Sequence, residues 1–283
     1  MDLFGSFHLI PPVTYQGGKQ RIADTILDHI DFTNATSFVD VCCGSGAVSL
    51  ALLNRGYDAR QITMIDAGPW GAVWKSIGEG SFSLSTFREW LSSVPSEPRH
   101  IQAYLQDLSR QTETAGNIYV FLLLQAGSFG GKAIWMKGGR WQNTSFRGYW
   151  QPTATSNRQS VVNPMMPMPA TIYERMAPVV EHAQGITGIH GNAEDVSISS
   201  SSIVYIDPPY DKTTKYGHHL NLDIMTQRGL RCYVSEGRPL TADAVVVSAD
   251  RKKGGISGNR KVANLEYLSC VRNEYVPEED ARL

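Results

Sequence analysis

Cysteine is scarce. The chain of 283 residues has four, two of them adjacent at Cys42 and Cys43, too few and too poorly spaced for a disulfide framework or a zinc site. A reduced, cytoplasmic setting is expected. Long apolar runs are missing as well: the strongest, 119–126, is under half of the roughly 18 to 20 residues that a membrane helix needs. The start, Met1 to Pro12, has neither the basic segment nor the small-residue cleavage site of an export signal, so the expectation is a soluble protein without membrane contact. Excess charge of one sign is also absent. Lys and Arg number 26 against 27 acids, for a net charge of -1, so any attraction to a polyanion must come from local patterning. What is present, 42% hydrophobic and 19% charged residues, is an ordinary globular composition, sufficient for one large domain or a core with one insertion.

The first third reads as alternating elements. Apolar residues at 22, 23, 26, 27 and 30 give a helical period over 22–30; 37–42 is a short buried strand; Gly44-Ser45-Gly46 breaks it; and 47–54 resumes with helix formers. A second strand over 61–65 ends at Asp66, and a helix over 71–77 follows a Gly-Pro break. Late in the chain, 171–184 has helical spacing and 185–190 strand-like alternation. The apolar strand 202–206 runs straight into Asp207-Pro-Pro-Tyr210, and further strands are expected over 231–234, 244–248 and 265–271. Strands alternating with helices early and extra strands late predict a mixed α/β sheet interrupted by an insertion.

That interruption has its own character. From 115 to 170 there are five basic residues, Lys132, Lys137, Arg140, Arg147 and Arg158, and no acid, interleaved with aromatic side chains. Such segregation is what a near-neutral protein needs to attract a polyanion locally, although a solvated surface over ordinary core aromatics would give the same composition. The segment ends in a proline-rich connector, 163–169, where a boundary is expected. A second basic stretch, Arg251 to Lys261, reads equally as a phosphate-contacting loop or a solvated hairpin tip.

Three features point to chemistry. The turn Cys42-Cys-Gly-Ser-Gly46 either lets a helix start sharply or lets a cofactor approach backbone N–H groups; it lacks the third glycine of a dinucleotide fingerprint, which weighs against NAD or FAD. Asp66, at the end of the next strand, is placed to bond a ribose diol or to cap its own loop. In Asp207-Pro-Pro-Tyr210 two prolines fix φ near −65° and remove two donors, leaving carbonyl oxygens and one carboxylate beside an aromatic ring. A planar ligand bearing an amino group suits such an acceptor-only corner. His218-His219 invites a metal reading, but adjacent histidines point apart and no carboxylate has ligand spacing, so no metal is expected.

With Tyr15-Gln-Gly-Gly-Lys19, Phe38-Val-Asp-Val-Cys-Cys-Gly-Ser-Gly46, Asp66, Ser128-Phe-Gly-Gly-Lys132 and Val204-Tyr-Ile-Asp-Pro-Pro-Tyr210 in this order, the chain resembles the Dam-like, D12 class N6-adenine DNA methyltransferases. The resemblance spans most of 13–217. It implies a Rossmann-like methyltransferase fold with a mixed, mostly parallel seven-stranded sheet, catalytic parts at 1–78 and 171–283, and a target-recognition insertion at 79–170. It also implies S-adenosylmethionine as methyl donor, held by Tyr15, Gly18, Lys19, Asp40, Cys42, Gly44, Ser45, Gly46, Asp66, Ala67, Asn192 and Ala193. Catalysis falls to Asp207, Pro208, Pro209 and Tyr210, and contacts to double-stranded DNA to Lys132, Lys137, Arg140, Arg147 and Arg158. A monomer or weak homodimer is expected. The sequence departs from the family at three places: Val41-Cys42 stands for Pro-Phe, Tyr15 for a tryptophan, and Asn192 for an aspartate that Glu194 or Asp195 could replace. RNA adenine, the N4 amine of cytosine, a nucleotide-dependent oxidoreductase and an inert DNA-binding protein are the competing readings.

Overall fold

The computed structural model describes residues 8–157, 166–209, 220–248 and 265–272. In chain order the elements are α1 Ala23–Asp28, β1 Ser37–Val41, α2 Ala47–Asn54, β2 Ile62–Asp66, α3 Pro69–Gly78, α4 Leu84–Ser92, α5 Pro98–Arg110, α6 Ile118–Gly127, β3 Trp135–Lys137, β4 Arg140–Gln142, α7 Pro169–His182, β5 Thr187–His190, β6 Ser202–Ile206, α8 Leu222–Thr226, β7 Arg231–Glu236, β8 Val245–Ser248 and β9 Glu266–Arg272. Seven strands form one sheet in the order β5-β2-β1-β6-β7-β9-β8. It is the mixed, mostly parallel α/β sheet expected from the sequence. β9 alone runs against its neighbours, antiparallel to both β7 and β8.

Period-two alternation sorts the strand residues onto two faces. Phe38 of β1, Met64 of β2 and Tyr205 of β6 join the larger core with α1 to α7, whereas Val39, Val41, Val204 and Ile206 pack on the other face with Met225 of α8 and Leu230. Because the central strands are covered on both sides, β6 reads as a continuous apolar run with every residue buried. The strands and helices expected from pattern are found with ends shifted by a few residues. The middle third holds three helices for which no expectation was made.

The first of these, α4, starts where Ser83 Oγ accepts from Thr86 N at 3.1 Å, and α6 where Asn117 Oδ1 accepts from Tyr119 N and Val120 N at 2.9 and 3.2 Å, so side-chain oxygens satisfy otherwise orphaned donors. α6 is buried from Val120 onward. Its Phe121 meets Trp70 of α3 edge-on, with ring centroids 5.2 Å apart. The main core therefore continues from the helices covering the sheet into 84–127. Among the described residues the β3–β4 hairpin forms a two-stranded sheet of its own, separate from the seven strands. No helix among the described residues is long and apolar enough to cross a membrane.

Helix α3 lies unusually close to the sheet. Pro69 at its first turn presets the backbone. A Cβ added at Gly71 would collide with the Asp66 carbonyl and stand 2.7 Å from the His190 Cα, and one at Gly188 of β5 would collide with Lys75 of α3. Gly71→Ala is therefore expected to lower the unfolding free energy by about 1–3 kcal/mol through overpacking, read from the midpoint of urea denaturation at unchanged slope.

Candidate active site

Strand order creates the crevice. From β1 the chain builds β2 and β5 on one side, then crosses to β6 on the other, so the loops leaving β1 and β6 diverge at their carboxyl ends. Val41 and Ile206 are register partners there, and Asp207 N donates to Val41 O at 3.2 Å. After β1 the backbone turns left-handed at Cys42 (φ 58°), Gly44 (49°) and Gly46 (74°). The two glycines serve different neighbours. A Cβ at Gly44 would lie 2.7 Å from Tyr15 Cε1, so the missing side chain makes room for the tyrosine ring. One at Gly46 would collide with Trp74 and stand 2.7 Å from Met64 Cε, facing the core. Trp74 holds the turn from below, its Nε1 donating to Gly44 O at 2.8 Å.

The N-terminal segment closes over this crevice. Lys19 Nζ donates to Asp207 Oδ1 at 2.6 Å and to Gly17 O at 3.1 Å, and lies 3.3 Å from Glu266 Oε1. Burial pushes the ammonium toward losing its proton, but Asp207 and Glu266 more than reverse this, so its pKa lies above the ordinary lysine value. The segment is fixed in turn by the chain after α6. Gln16 N donates to Gly131 O at 2.7 Å. Gln125, buried in the otherwise apolar α6, donates to Thr14 O, Gly131 O and Lys132 O at 3.3, 3.1 and 3.2 Å and accepts from Ile134 N at 3.2 Å.

One pocket is lined by Tyr15, Gly18, Lys19, Asp40, Cys42, Gly44, Ser45 and Asp207, together with Tyr205 among others. Of the expected cofactor and catalytic residues, these are the ones the fold gathers. Pro208 is buried beside them and Pro209 half-buried; Tyr210 lies outside the described residues, as do Arg158, His218-His219 and 251–261. Gly46 is turned to the core. Asp66 and Ala67 sit at the neighbouring end of β2, where Asp66 accepts from Gly44 N at 2.9 Å and Gly68 N at 2.7 Å. Asn192 and Ala193 follow β5, joined to β2 through Gly191 N donating to Asp66 O at 3.2 Å. Asn192 Nδ2 lies 3.4 Å from Asp195 Oδ2, and Glu194 Oε1 accepts from Asn221 N at 2.7 Å.

Asp40 is fully buried on the α2 side of β1, with Ser49 Oγ donating to it at 2.6 Å. Burial, reinforced by the nearby Asp207 and Asp66 carboxylates, raises its pKa to about 7. Burial and the same carboxylates push the Cys42 and Cys43 thiols well up, so neither is a thiolate near neutral pH. Among the described residues no group of three or more His, Cys, Asp or Glu is placed to hold a metal ion.

The basic residues of the middle segment are dispersed. Lys137 and Arg140 are register partners flanking the exposed Gly138-Gly139 turn of the β3–β4 hairpin, at φ 57° and 71°. Lys132 is half-buried at the Gln125-held loop, and the Arg147 guanidinium lies 5.6 Å from the centroid of the Phe129 ring. Sequence reasoning missed Ser49, Trp74, Gln125 and Glu266. Gln125 alone had a local signal, a single amide within an apolar run.

A family model described as D12 class N6 adenine-specific DNA methyltransferase matches residues 15–62, the stretch from the Lys19 segment through the glycine turn to the start of β2. The match is consistent with a Dam-like enzyme and, with the sheet, supports an adenine DNA methyltransferase of an S-adenosylmethionine-dependent family. No curated protein matches the chain.

The folded protein keeps the Asp40 proton up to about pH 7, whereas an exposed aspartate loses it near 3.8. Between those values the native state binds the extra proton, so this group's contribution to stability falls as pH rises from about 4 to about 7 and levels off above. Asp40→Asn, which keeps an acceptor for Ser49, should remove about 1–3 kcal/mol of decline between pH 5 and 8. Urea denaturation checks this; parallel pH curves for variant and wild type would refute it.

Proposed function

We propose, taking an adenine-specific DNA methyltransferase as premise, that the chain transfers a methyl group from S-adenosylmethionine to the N6 amine of an adenine extruded from double-stranded DNA. One observation supports this above the rest: the Asp207 carboxylate and the Gly44 turn line the same pocket. S-adenosylmethionine supplies a methyl group on a positively charged sulfur. The pocket suits such a cation, since the Asp207 carboxylate lines it and Asp66 stands beside it. In this reading Tyr15, Gly18, Cys42, Gly44 and Ser45 border the methionine part, Gly46 shapes the turn from the core side, and Asp66, Ala67, Asn192 and Ala193 take the adenosine part.

At the acceptor end, the lone pair of N6 is delocalised into the adenine ring and is a poor nucleophile. Asp207 and the Pro208 carbonyl accept its two N–H donors, favouring a more tetrahedral nitrogen with its lone pair aimed at the methyl. Neither Pro208 nor Pro209 has an N–H to compete. The carboxylate also stabilises the positive charge that builds on nitrogen, an electrostatic contribution of the kind that usually dominates, while the stiff corner fixes orientation. A base within the stack cannot reach this site, so it has to be flipped out, with Tyr210 as stacking face.

The segment 79–170 is assigned to target recognition and 1–78 with 171–283 to catalysis. The Lys137–Arg140 tip is the best-placed element for phosphates or guanine edges, with Lys132, Arg147 and Arg158 as further contacts.

Incubation with tritiated methyl donor and unmethylated duplex DNA, or RNA in parallel, followed by digestion to nucleosides, should place the label in N6-methyl-2′-deoxyadenosine; label in N4-methyl-2′-deoxycytidine, or in RNA alone, would overturn the proposal. Asp207→Asn is expected to lower turnover by about 100-fold or more while leaving donor binding measurable by calorimetry. Replacing both Lys137 and Arg140 by alanine should reduce the slope of log affinity against log salt by about 2; an unchanged slope would move recognition elsewhere on the protein.

A further inference from the structure

Glu266 belongs to none of the sequence motifs, yet it reaches the centre of the site. The reason is topological. Because β9 runs antiparallel to β7, with Tyr267 opposite Glu236, its first residue arrives at the carboxyl end of the parallel strands, where the loops after β1 and β6 open. There Glu266 Oε1 stands 3.3 Å from Lys19 Nζ, which itself is 2.6 Å from Asp207 Oδ1, with the lysine side chain 7% and the glutamate 17% exposed. The Gly17 carbonyl accepts from the same ammonium at 3.1 Å. Tyr205, whose hydroxyl lies 2.8 Å from Ser235 Oγ, Asp40, Tyr15, Cys42 and Cys43 are further ionisable groups that line the pocket with Lys19 and Asp207.

One ammonium between two carboxylates leaves these three side chains with one negative charge in excess. The excess matters for the reaction proposed above. As the C–N bond forms from the N6 lone pair and the C–S bond breaks with its electrons left on sulfur, one positive charge moves from sulfur to nitrogen, toward Asp207; N6 then releases a proton to water. A carboxylate matched one-to-one by a buried lysine would attract that arriving charge weakly. Sharing the ammonium with a second carboxylate restores the attraction.

We propose that Glu266 is a positioning residue for methyl transfer, acting through Lys19: it draws the ammonium partly away from Asp207 and so leaves the Asp207 carboxylate negative toward N6. The inference rests on the reading of Asp207 as the acceptor for the adenine amine. It assigns Glu266 no contact with donor or base, so its loss should slow the transfer step without weakening either ligand.

Single-turnover transfer of tritiated methyl to unmethylated genomic DNA tests this with Glu266→Gln, Glu266→Asp, Lys19→Gln and the Lys19→Gln/Glu266→Gln double variant. Glu266→Gln is expected to slow transfer by roughly tenfold or more, the scale of a lost charged contact in a buried site. Donor affinity by calorimetry, duplex affinity and melting temperature should remain close to wild type, and Glu266→Asp should recover part of the rate. In the Lys19→Gln background the Glu266→Gln change should add less than about twofold, because the partner it acts through is gone. A wild-type rate for Glu266→Gln, a loss confined to donor or DNA affinity, a lost cooperative melt, or a further tenfold loss in the double variant would each overturn the inference alone. Failure of the wild-type protein to label N6-methyl-2′-deoxyadenosine would instead overturn the reading of Asp207 on which it depends.

Discussion

Lys19 and Asp207 stand 188 residues apart in sequence and 2.6 Å apart in space, and this buried ion pair decides how the site is closed. Removing an ammonium and a carboxylate from water is costly, and a buried pair is sustained only where further polar partners share its charges. Glu266 and the Gly17 carbonyl are such partners. Once the pair forms, the N-terminal segment has to cross the carboxyl ends of β1 and β6. That crossing lays the Tyr15 ring against Gly44 and leaves the pocket between them.

Holding that segment is a task for the middle of the chain. Gln125 gathers the backbone of Thr14, Gly131 and Lys132 around one buried amide, where an apolar residue would leave those carbonyls without the amide's N–H donors. The middle segment thus has two physical characters. Its helices extend the main core through Phe121 and Trp70, whereas its hairpin projects a pair of cations on an exposed glycine turn. One stretch of sequence both braces the Lys19 segment and carries the basic tip.

Carboxyl groups are concentrated at the same end of the parallel strands. Asp40, Asp66, Asp207 and Glu266 approach it from the ends of four different strands, and burial, reinforced by Asp207 and Asp66, raises the Asp40 pKa. An end so rich in acceptors is ill suited to an anionic cofactor. It is well suited to a sulfonium donor with an ammonium group and to an aromatic amine, which agrees with the family matched by residues 15–62.

Period and punctuation in the sequence determined much of the sheet. The run at 202–206 read as a buried apolar strand, and the helix after Gly46 begins at Ala47 as its pattern required. Backbone-limited residues betray their geometry locally, so glycine and proline marked the Gly44 turn and the Asp207 corner, whereas Tyr15, Lys19 and Asp40 were named through the family resemblance. The tertiary structure alone decided which of these residues meet. That Gly46 faces Trp74 rather than a ligand, that Gln125 ties 14 to 131, and that Glu266 completes the Lys19 cluster depend on strand order and on the reversed direction of β9. Such contacts join residues more than a hundred positions apart in the case of Gln125 and Thr14, and hydrophobic period, being a local property, holds no record of them.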